Sequence, residues 1–175
     1  MSQSAARSLN TTSCKGSTLV EFTLVGIPFI FILISTFEMA RGMWNYQTLA
    51  YAVRAGSRYA AMHGKGCTAG TNTCGITVAS VANAISTAAT GLPAANFNVV
   101  LSSATAASVN CAPLSSCSSN ATAWPPAADN APGSDIRVSA TYTFNSALAM
   151  LWPGAGRVSF GTFTFVAYSR QAIQF

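Results

Sequence analysis

Ionisable side chains are scarce in this sequence. Only 7% of the 175 residues are charged, and the chain contains four acidic residues and a single histidine. General acid–base and metal chemistry need several such groups brought together, and no Gly-rich phosphate loop takes their place. We therefore expect no enzyme activity, no cofactor and no metal site. The histidine, His63, is expected to be a polar cap near a helix end.

Basic residues outnumber the acids, nine to four, which gives a formal net charge of +5 at pH 7. They are spread from Arg7 to Arg170 without forming a patch, so the sequence does not predict a nucleic-acid partner. Half of the residues are apolar, and Ala, Ser, Thr and Gly make up much of the rest. This composition is unusual for a cytosolic enzyme and is typical of an exported, surface-exposed chain.

The five cysteines divide into Cys14, near the N-terminus, and two close pairs, Cys67 with Cys74 and Cys111 with Cys117. Pairs in an exported domain predict disulfides, and near neighbours lose the least chain entropy when they are linked. A zinc site is the alternative, although the spacings are wider than in zinc knuckles and one histidine adds little. The four paired cysteines permit more than one connectivity. We predict that Cys67 pairs with Cys74 and Cys111 with Cys117, so that each disulfide closes a short loop.

One segment has the composition of a membrane span. From Leu19 to Phe37 it reads LVEFTLVGIPFIFILISTF, and Glu21 is its one charged residue. Its charge-free part, residues 22–37, makes about 24 Å of helix, which is short against a hydrocarbon thickness of roughly 30 Å. Pro28 lacks an amide donor and should kink or locally loosen this helix.

A secretory signal peptide is the alternative interpretation of this segment. The apolar run is longer than the usual stretch of roughly 7 to 15 residues, and no small-x-small cleavage site closes it. Positive charges on the two sides are balanced, so they do not fix the orientation. The cysteine pairs do, because they place the long C-terminal part in an oxidising compartment and the N-terminus in the cytoplasm.

Glu21 is the residue that a plain membrane anchor does not explain. A carboxylate at the centre of a bilayer costs at least about 2.5 kcal/mol and usually has a partner. Cleavage after Gly16 would put the new α-amino group of Ser17 one helical turn before Glu21, where its positive charge could neutralise the carboxylate. Alternatively, Glu21 lies at headgroup level, where a negative charge suits the helix dipole.

The pattern Lys15, Gly16, four residues, Glu21 and Phe22 at the head of an apolar helix resembles the prepilin peptidase site of type IV pilins. The resemblance implies a leader at residues 1–16, cleavage between Gly16 and Ser17, and a role of Glu21 in assembly. The Flp pilins and pseudopilins of the tight-adherence system usually have Tyr after this Glu. Phe22 of this chain has the aromatic ring of that Tyr but lacks its hydroxyl group.

A second match narrows the family. Glu38 and Arg41 follow the apolar run, and AVRAGSRYAA occupies residues 52–61. This resembles the TadE-like proteins, whose first helix continues into a small-residue stretch with two arginines and an aromatic, at Arg54, Arg58 and Tyr59 of this chain. The resemblance covers residues 16 to 63 and, more loosely, two strand-like segments near the C-terminus that look like the family's closing hairpin.

The family resemblance implies a minor pilin or pseudopilin of a tight-adherence (type IVc) pilus system, acting in pilus assembly and adhesion. It implies as partners a prepilin peptidase, other pilins or pseudopilins, inner-membrane pilus assembly proteins and the membrane itself. The implied location is the bacterial inner membrane with the head in the periplasm, or an extracellular pilus. The rival hypothesis is a single-pass inner-membrane protein whose periplasmic domain binds a ligand or scaffold protein and never assembles.

The first helix should continue well past the membrane, because nothing breaks it before Gly64 and Gly66. This divides the chain into a leader, a transmembrane and assembly helix at residues 17–63 and a head domain at 64–175. The helix carries two stripes. One contains Trp44, Tyr51, Ala55, Tyr59 and Met62, and the other contains Gly42, Tyr46, Leu49, Val53, Gly56 and Ala60. Either both stripes are buried in the chain's own domain, or one faces the head and the other faces neighbouring pilin helices.

Periodicity in the head predicts one more helix and a small antiparallel sheet. The expected elements are a helix at 78–89, strands at 96–102, 136–144 and 158–170, a loop at 104–134, and a turn or short helix at 146–152. The last strand changes its apolar phase across Gly161, which predicts a bulge. The expected fold class is α+β and type IV pilin-like: a long N-terminal hydrophobic helix followed by a small antiparallel sheet with one extra helix.

Overall fold

The computed structural model describes residues 15–67, 74–146 and 162–174, with only the backbone of residues 15–17. Contacts within the chain divide it into two packed units, Met1–Phe37 and Glu38–Phe175. Three expectations fall outside the described residues: the turn after residue 146, the bulge at Gly161 and most of the leader. Of the leader, only residues 15 and 16 are described.

Helix α1 runs from Lys15 to Ala61 and contains 47 residues. The long helix expected from the sequence is confirmed, and its C-terminal end lies two residues before the expected position at residue 63. Pro28 lies inside α1 and does not end it. Because the second unit begins at Glu38, the C-terminal part of α1 belongs to the same packed unit as the sheet.

Helix α2, Val78–Ala88, begins with a capping box. Thr77 precedes the helix, its hydroxyl accepts a hydrogen bond from the amide of Ser80 at 3.3 Å, and its own amide donates to the Ser80 hydroxyl at 2.9 Å. These bonds satisfy donors that the first turn leaves without partners. After the helix, Gly91 has φ +85, a backbone conformation that favours glycine. The expected helix and its stop are therefore confirmed.

Four antiparallel strands form the sheet, in the order β2-β1-β3-β4. They are β1 (Phe97–Ser103), β2 (Val109–Cys111), β3 (Asp135–Phe144) and β4 (Phe163–Ala172). The expectation that residues 104–134 are entirely loop is wrong. The short edge strand β2 lies there, with Val99 opposite Cys111, and two short 3₁₀ helices follow at Leu114–Cys117 and Ala127–Asp129.

One buried cluster joins the two helices to one face of the sheet. Alternate residues of β1 and β3 point into it, as the period of a half-buried strand requires. Its largest fully buried members are Phe97, Leu49, Ile85, Leu101, Leu114, Ile136 and Ile173. The α+β fold expected from the sequence is therefore confirmed: a long apolar helix, a small antiparallel sheet and one further helix.

Candidate functional site

The N-terminal part of α1 carries the residues of the expected cleavage and assembly site. Lys15, Gly16 and Ser17 form the first residues of the helix, and Glu21 and Phe22 follow in it. At 3.6 residues per turn, Ser17 and Glu21 lie one turn apart on the same side of the helix. The Phe22 side chain is 74% exposed within the described chain.

The apolar part of α1 has the character of a lipid-facing segment. From Thr18 onwards, α1 is long and apolar enough to cross a membrane, with a mean hydropathy of 2.1 over its most apolar stretch. Among the described residues, the side chains of residues 18–37 are exposed or partly exposed. The hydroxyls of Thr23 and Thr36 donate to the carbonyls of Val20 and Ile32, at 2.9 and 2.8 Å. These internal bonds suit an environment without water.

Arg41 joins α1 to the end of strand β3. Its guanidinium donates to the carbonyl of Asn145 at 2.6 Å and to the carboxylate of Glu38 at 3.2 Å. It also lies 4.7 Å from the centre of the Phe144 ring. One Arg41 side chain thus makes a hydrogen bond, an ion pair and a cation–π contact.

The stripe of small residues on α1 faces the chain's own head. Gly42, Leu49, Val53, Gly56 and Ala60 are all buried. A Cβ atom at Gly56 would overlap the side chain of Ile85 on α2, so glycine allows the close approach of these two elements.

One member of this stripe and one polar neighbour bind β4. Tyr46, which is 43% exposed, makes an edge contact with Phe165 at 5.9 Å between ring centres. The buried hydroxyls of Ser57 and Ser169 form a hydrogen bond of 2.8 Å. Both contacts fix the same side of α1 against the sheet.

The opposite side of α1 is open. Trp44 and Tyr51 are each 65% exposed and Met62 is 43% exposed, and Arg54 and Arg58 are also exposed. An open groove of about 570 Å³ follows this side of the helix. Its lining consists of Tyr51, Arg54, Ala55, Arg58, Tyr59, Met62, Ala84 and Gln171. Of the two alternatives for the stripes, burial of both in the chain's own domain does not fit: one stripe packs inside, whereas Trp44, Tyr51 and Met62 of the other are exposed.

His63 follows the end of α1 and is buried. Its Nδ1 atom lies 2.6 Å from the carbonyl oxygen of Tyr59, one of the last carbonyls of the helix. The two rings are also in contact, tilted by 36° with their centres 4.4 Å apart. This is the arrangement expected of a polar cap. Among the residues that the structure describes, no three His, Cys, Asp or Glu side chains are grouped so that they could hold a metal ion.

Both expected disulfides are present. Cys67 is bonded to Cys74, with Cα atoms 5.7 Å apart, and Cys111 to Cys117, with Cα atoms 5.5 Å apart. The first follows α1 and precedes α2, whereas the second ties β2 to a 3₁₀ helix in the core. Cys111 and Cys117 are both buried.

Asp129 organises the long loop, and sequence reasoning missed it. Its carboxylate accepts hydrogen bonds from the Thr105 hydroxyl at 2.6 Å and from the amides of Thr105 and Ala106 at 2.9 and 3.1 Å. The pKa of this carboxyl is held below its usual range because the hydroxyls of Ser103 and Thr105 and these amides surround the charged form. The one signal in the sequence was an Asp in a Pro-rich loop, where Asp often caps a turn.

The family model described as TadE-like protein matches residues 16–58 of this chain. The matched segment starts at the glycine of the expected cleavage site and ends at Arg58, so it covers most of α1. This confirms the resemblance to TadE-like proteins that the N-terminal residues indicate. No curated protein and no solved structure matches the chain.

Proposed function

We propose that this chain is a minor pilin or pseudopilin of a tight-adherence pilus system. It acts in pilus assembly and adhesion and carries out no catalysis. The observation that carries the proposal is the TadE-like match over residues 16–58, because it coincides with a helix whose N-terminal apolar side chains, such as Leu19, Phe22 and Phe29, are exposed. Helix α1 also contains Lys15, Gly16 and Glu21.

The mechanism starts in the bacterial inner membrane, with the head in the periplasm. A prepilin peptidase removes residues 1–16 and creates an α-amino group on Ser17. This amine lies one helical turn before Glu21, so the pair can become electrically neutral in an apolar environment, within one chain or between two. A neutral pair lowers the cost of moving the helix from lipid into a bundle of pilin helices.

The length of the apolar segment also favours a helix that leaves the bilayer. Its charge-free part is about 24 Å long, below the roughly 30 Å of a hydrocarbon core, which makes it a poor permanent anchor. Charged residues resume at Glu38 and Arg41. There α1 enters the packed unit that contains the sheet, so one continuous helix connects the assembly segment to the head.

The partners that follow from this proposal are the prepilin peptidase, other pilins or pseudopilins, inner-membrane assembly proteins and the lipid bilayer. The final location is the inner membrane or an extracellular pilus. A single-pass membrane protein with a periplasmic binding domain would share the anchor but would need neither cleavage nor helix exchange with other subunits.

The test compares the full chain with Gly16→Val in a cell that contains the tight-adherence machinery. We expect the parent to be found with sheared filaments or in crosslinked complexes with other pilins in the membrane. Gly16→Val should stay in the membrane at full length and be absent from both. If the parent stays uncut in the membrane and the variant behaves identically, the membrane-bound binding protein is the better account.

A further inference from the structure

We propose that the open side of α1 binds a different pilin-like subunit, one that presents carboxylates to Arg54 and Arg58. On this side of the helix, Tyr51, Arg54, Ala55, Arg58 and Met62 form a surface that we call the arginine face. The inference rests on the proposed function and adds the chemistry of the partner. A second copy of this chain is the competing occupant.

The arginine face has the composition of a protein interface. Tyr51 and Met62 are 65% and 43% exposed, and together with the half-buried Tyr59 they line the groove beside the helix. Tyr, Met and Arg are enriched in interface cores relative to other protein surface. The groove is bordered by Ala84 of α2 and Gln171 of β4, so a neighbouring helix can pack along α1 without meeting a bulky side chain at either edge.

The charges on this face have no partner within the described part of the protein. Arg54 and Arg58 are four residues apart and therefore adjacent on the helix surface, where like charges destabilise a helix. Both are exposed, and neither forms an ion pair with a described residue. By contrast, Arg41 and Arg170 are bound to Glu38 and Asp135. The arginine face thus offers two positive charges to an incoming surface.

A second copy of the chain has little to offer these two arginines. The sequence contains only four acidic residues, and two of them, Glu38 and Asp135, already bind arginines. Asp129 is 2% exposed and is held by the loop around Thr105.

Glu21, the fourth acid, lies in the apolar segment, 33 residues before Arg54 in the sequence. Pairing two copies side by side would therefore bring positive surfaces together, and like-charge contact opposes association. The complementary partner carries its own acidic residues, spaced about one turn apart on a helix that is otherwise apolar or small.

The experiment uses the full-length chain in its own membranes, with a photo-crosslinking amino acid at position 51. We expect an adduct with a different cleaved pilin-like chain, and peptide mapping should place the crosslink within one helical turn of an Asp or Glu. The double variant Arg54→Glu with Arg58→Glu should lower the adduct yield at least about tenfold. Arg137→Glu makes the same kind of charge change on β3 and serves as the control, with an unchanged yield.

Charge reversal of the mapped partner acid to Arg should restore the adduct of the double variant. Three results would overturn the inference. One is an adduct only between copies of this chain, another is an adduct yield that the double variant leaves unchanged, and the third is the absence of any adduct from a cleaved chain. The mass of the N-terminus is measured in the same samples. An uncut chain there refutes the proposed function itself, whereas a cut chain with a self-adduct refutes the acidic partner alone.

Discussion

Gly56 of α1 lies so close to Ile85 of α2 that a Cβ atom on the glycine would overlap the isoleucine side chain. Both residues are buried, and Ile85 is fully enclosed. Gly56→Ala should therefore destabilise the head by about 1–3 kcal/mol, the usual cost of overpacking a core, although alanine is the better helix former. Thermal unfolding of the full chain in detergent, followed by near-UV circular dichroism, measures the change.

Gly42 provides the matched control on the same stripe of α1. A Cβ atom there would lie 3.6 Å from the Phe165 ring and 4.0 Å from that of Phe144, which is ordinary contact. Gly42→Ala should be neutral or stabilising by up to about 1 kcal/mol, because it removes backbone freedom from the unfolded chain. Equal effects of the two substitutions would contradict a close approach of α1 and α2 that depends on Gly56.

The two disulfides should differ in their contribution to stability. Each closes a short loop, worth about 2 kcal/mol in the chain-entropy description. Cys111 and Cys117 are also buried in the core, so replacing both by Ala should cost more than replacing Cys67 and Cys74. Unfolding midpoints of the two double variants measure the difference, and non-reduced peptide mapping of the parent checks the pairing. A bond between Cys74 and Cys111 would refute it.

Asp129 should make the head sensitive to acid. Its pKa is lowered in the folded chain, whereas an unfolded Asp titrates at about 3.9. As the pH falls, the Asp129 carboxylate is therefore protonated in the unfolded chain before it is protonated in the folded chain. Its contribution to stability is complete above about pH 4 and is lost as the pH falls below that value. Asp129→Asn should be less stable at neutral pH and should lose less stability on acidification. Asp135→Asn, at an exposed ion pair, serves as the control and should change stability little.

Glu21 should matter for assembly and not for folding of the head. Glu21→Gln keeps the shape and removes the charge, which leaves the new amine of Ser17 without its partner. A lost partner for a buried charge costs several kcal/mol, enough to suppress a contact between subunits by orders of magnitude. We expect normal cleavage, membrane retention and disulfides, but poor recovery with sheared filaments or in membrane crosslinks.

Glu21→Asp retains the negative charge and is the matched control for that experiment. Its recovery with partner pilins should exceed that of Glu21→Gln. If Glu21→Gln associates as well as the parent, the carboxylate is a headgroup-level residue, and a plain membrane anchor becomes the better interpretation of the helix.

Periodic elements could be predicted from the sequence because each carries its own signal. Helix α2 has one apolar face and stop signals at Gly91 and Pro93, and β3 alternates apolar and polar residues over its length. Strand β2 has three residues, too few to show alternation, and it exists because it pairs with β1. Asp129 was missed for a similar reason, since its partner Thr105 lies 24 residues away.

The choice between the two stripes of α1 also required the structure. Both stripes contain apolar and aromatic residues, as expected of a helix with two neighbours. Hydropathy therefore does not show which stripe faces the head. The contacts of Gly56 with Ile85 and of Tyr46 with Phe165 decide which one faces the head. The expected cleavage pattern, by contrast, is a local motif: Lys15, Gly16, Glu21 and Phe22 at the head of an apolar helix.

The intact mass of the protein isolated from its native membranes tests the central claim most directly, because prepilin processing separates an assembling subunit from a permanent anchor. We predict a single mature form that begins at Ser17, lacks Cys14 and contains two disulfides. A product that retains residues 1–16, or one cut near Ala52 as a secretory signal would be, would contradict the assignment as a processed pilin-like subunit.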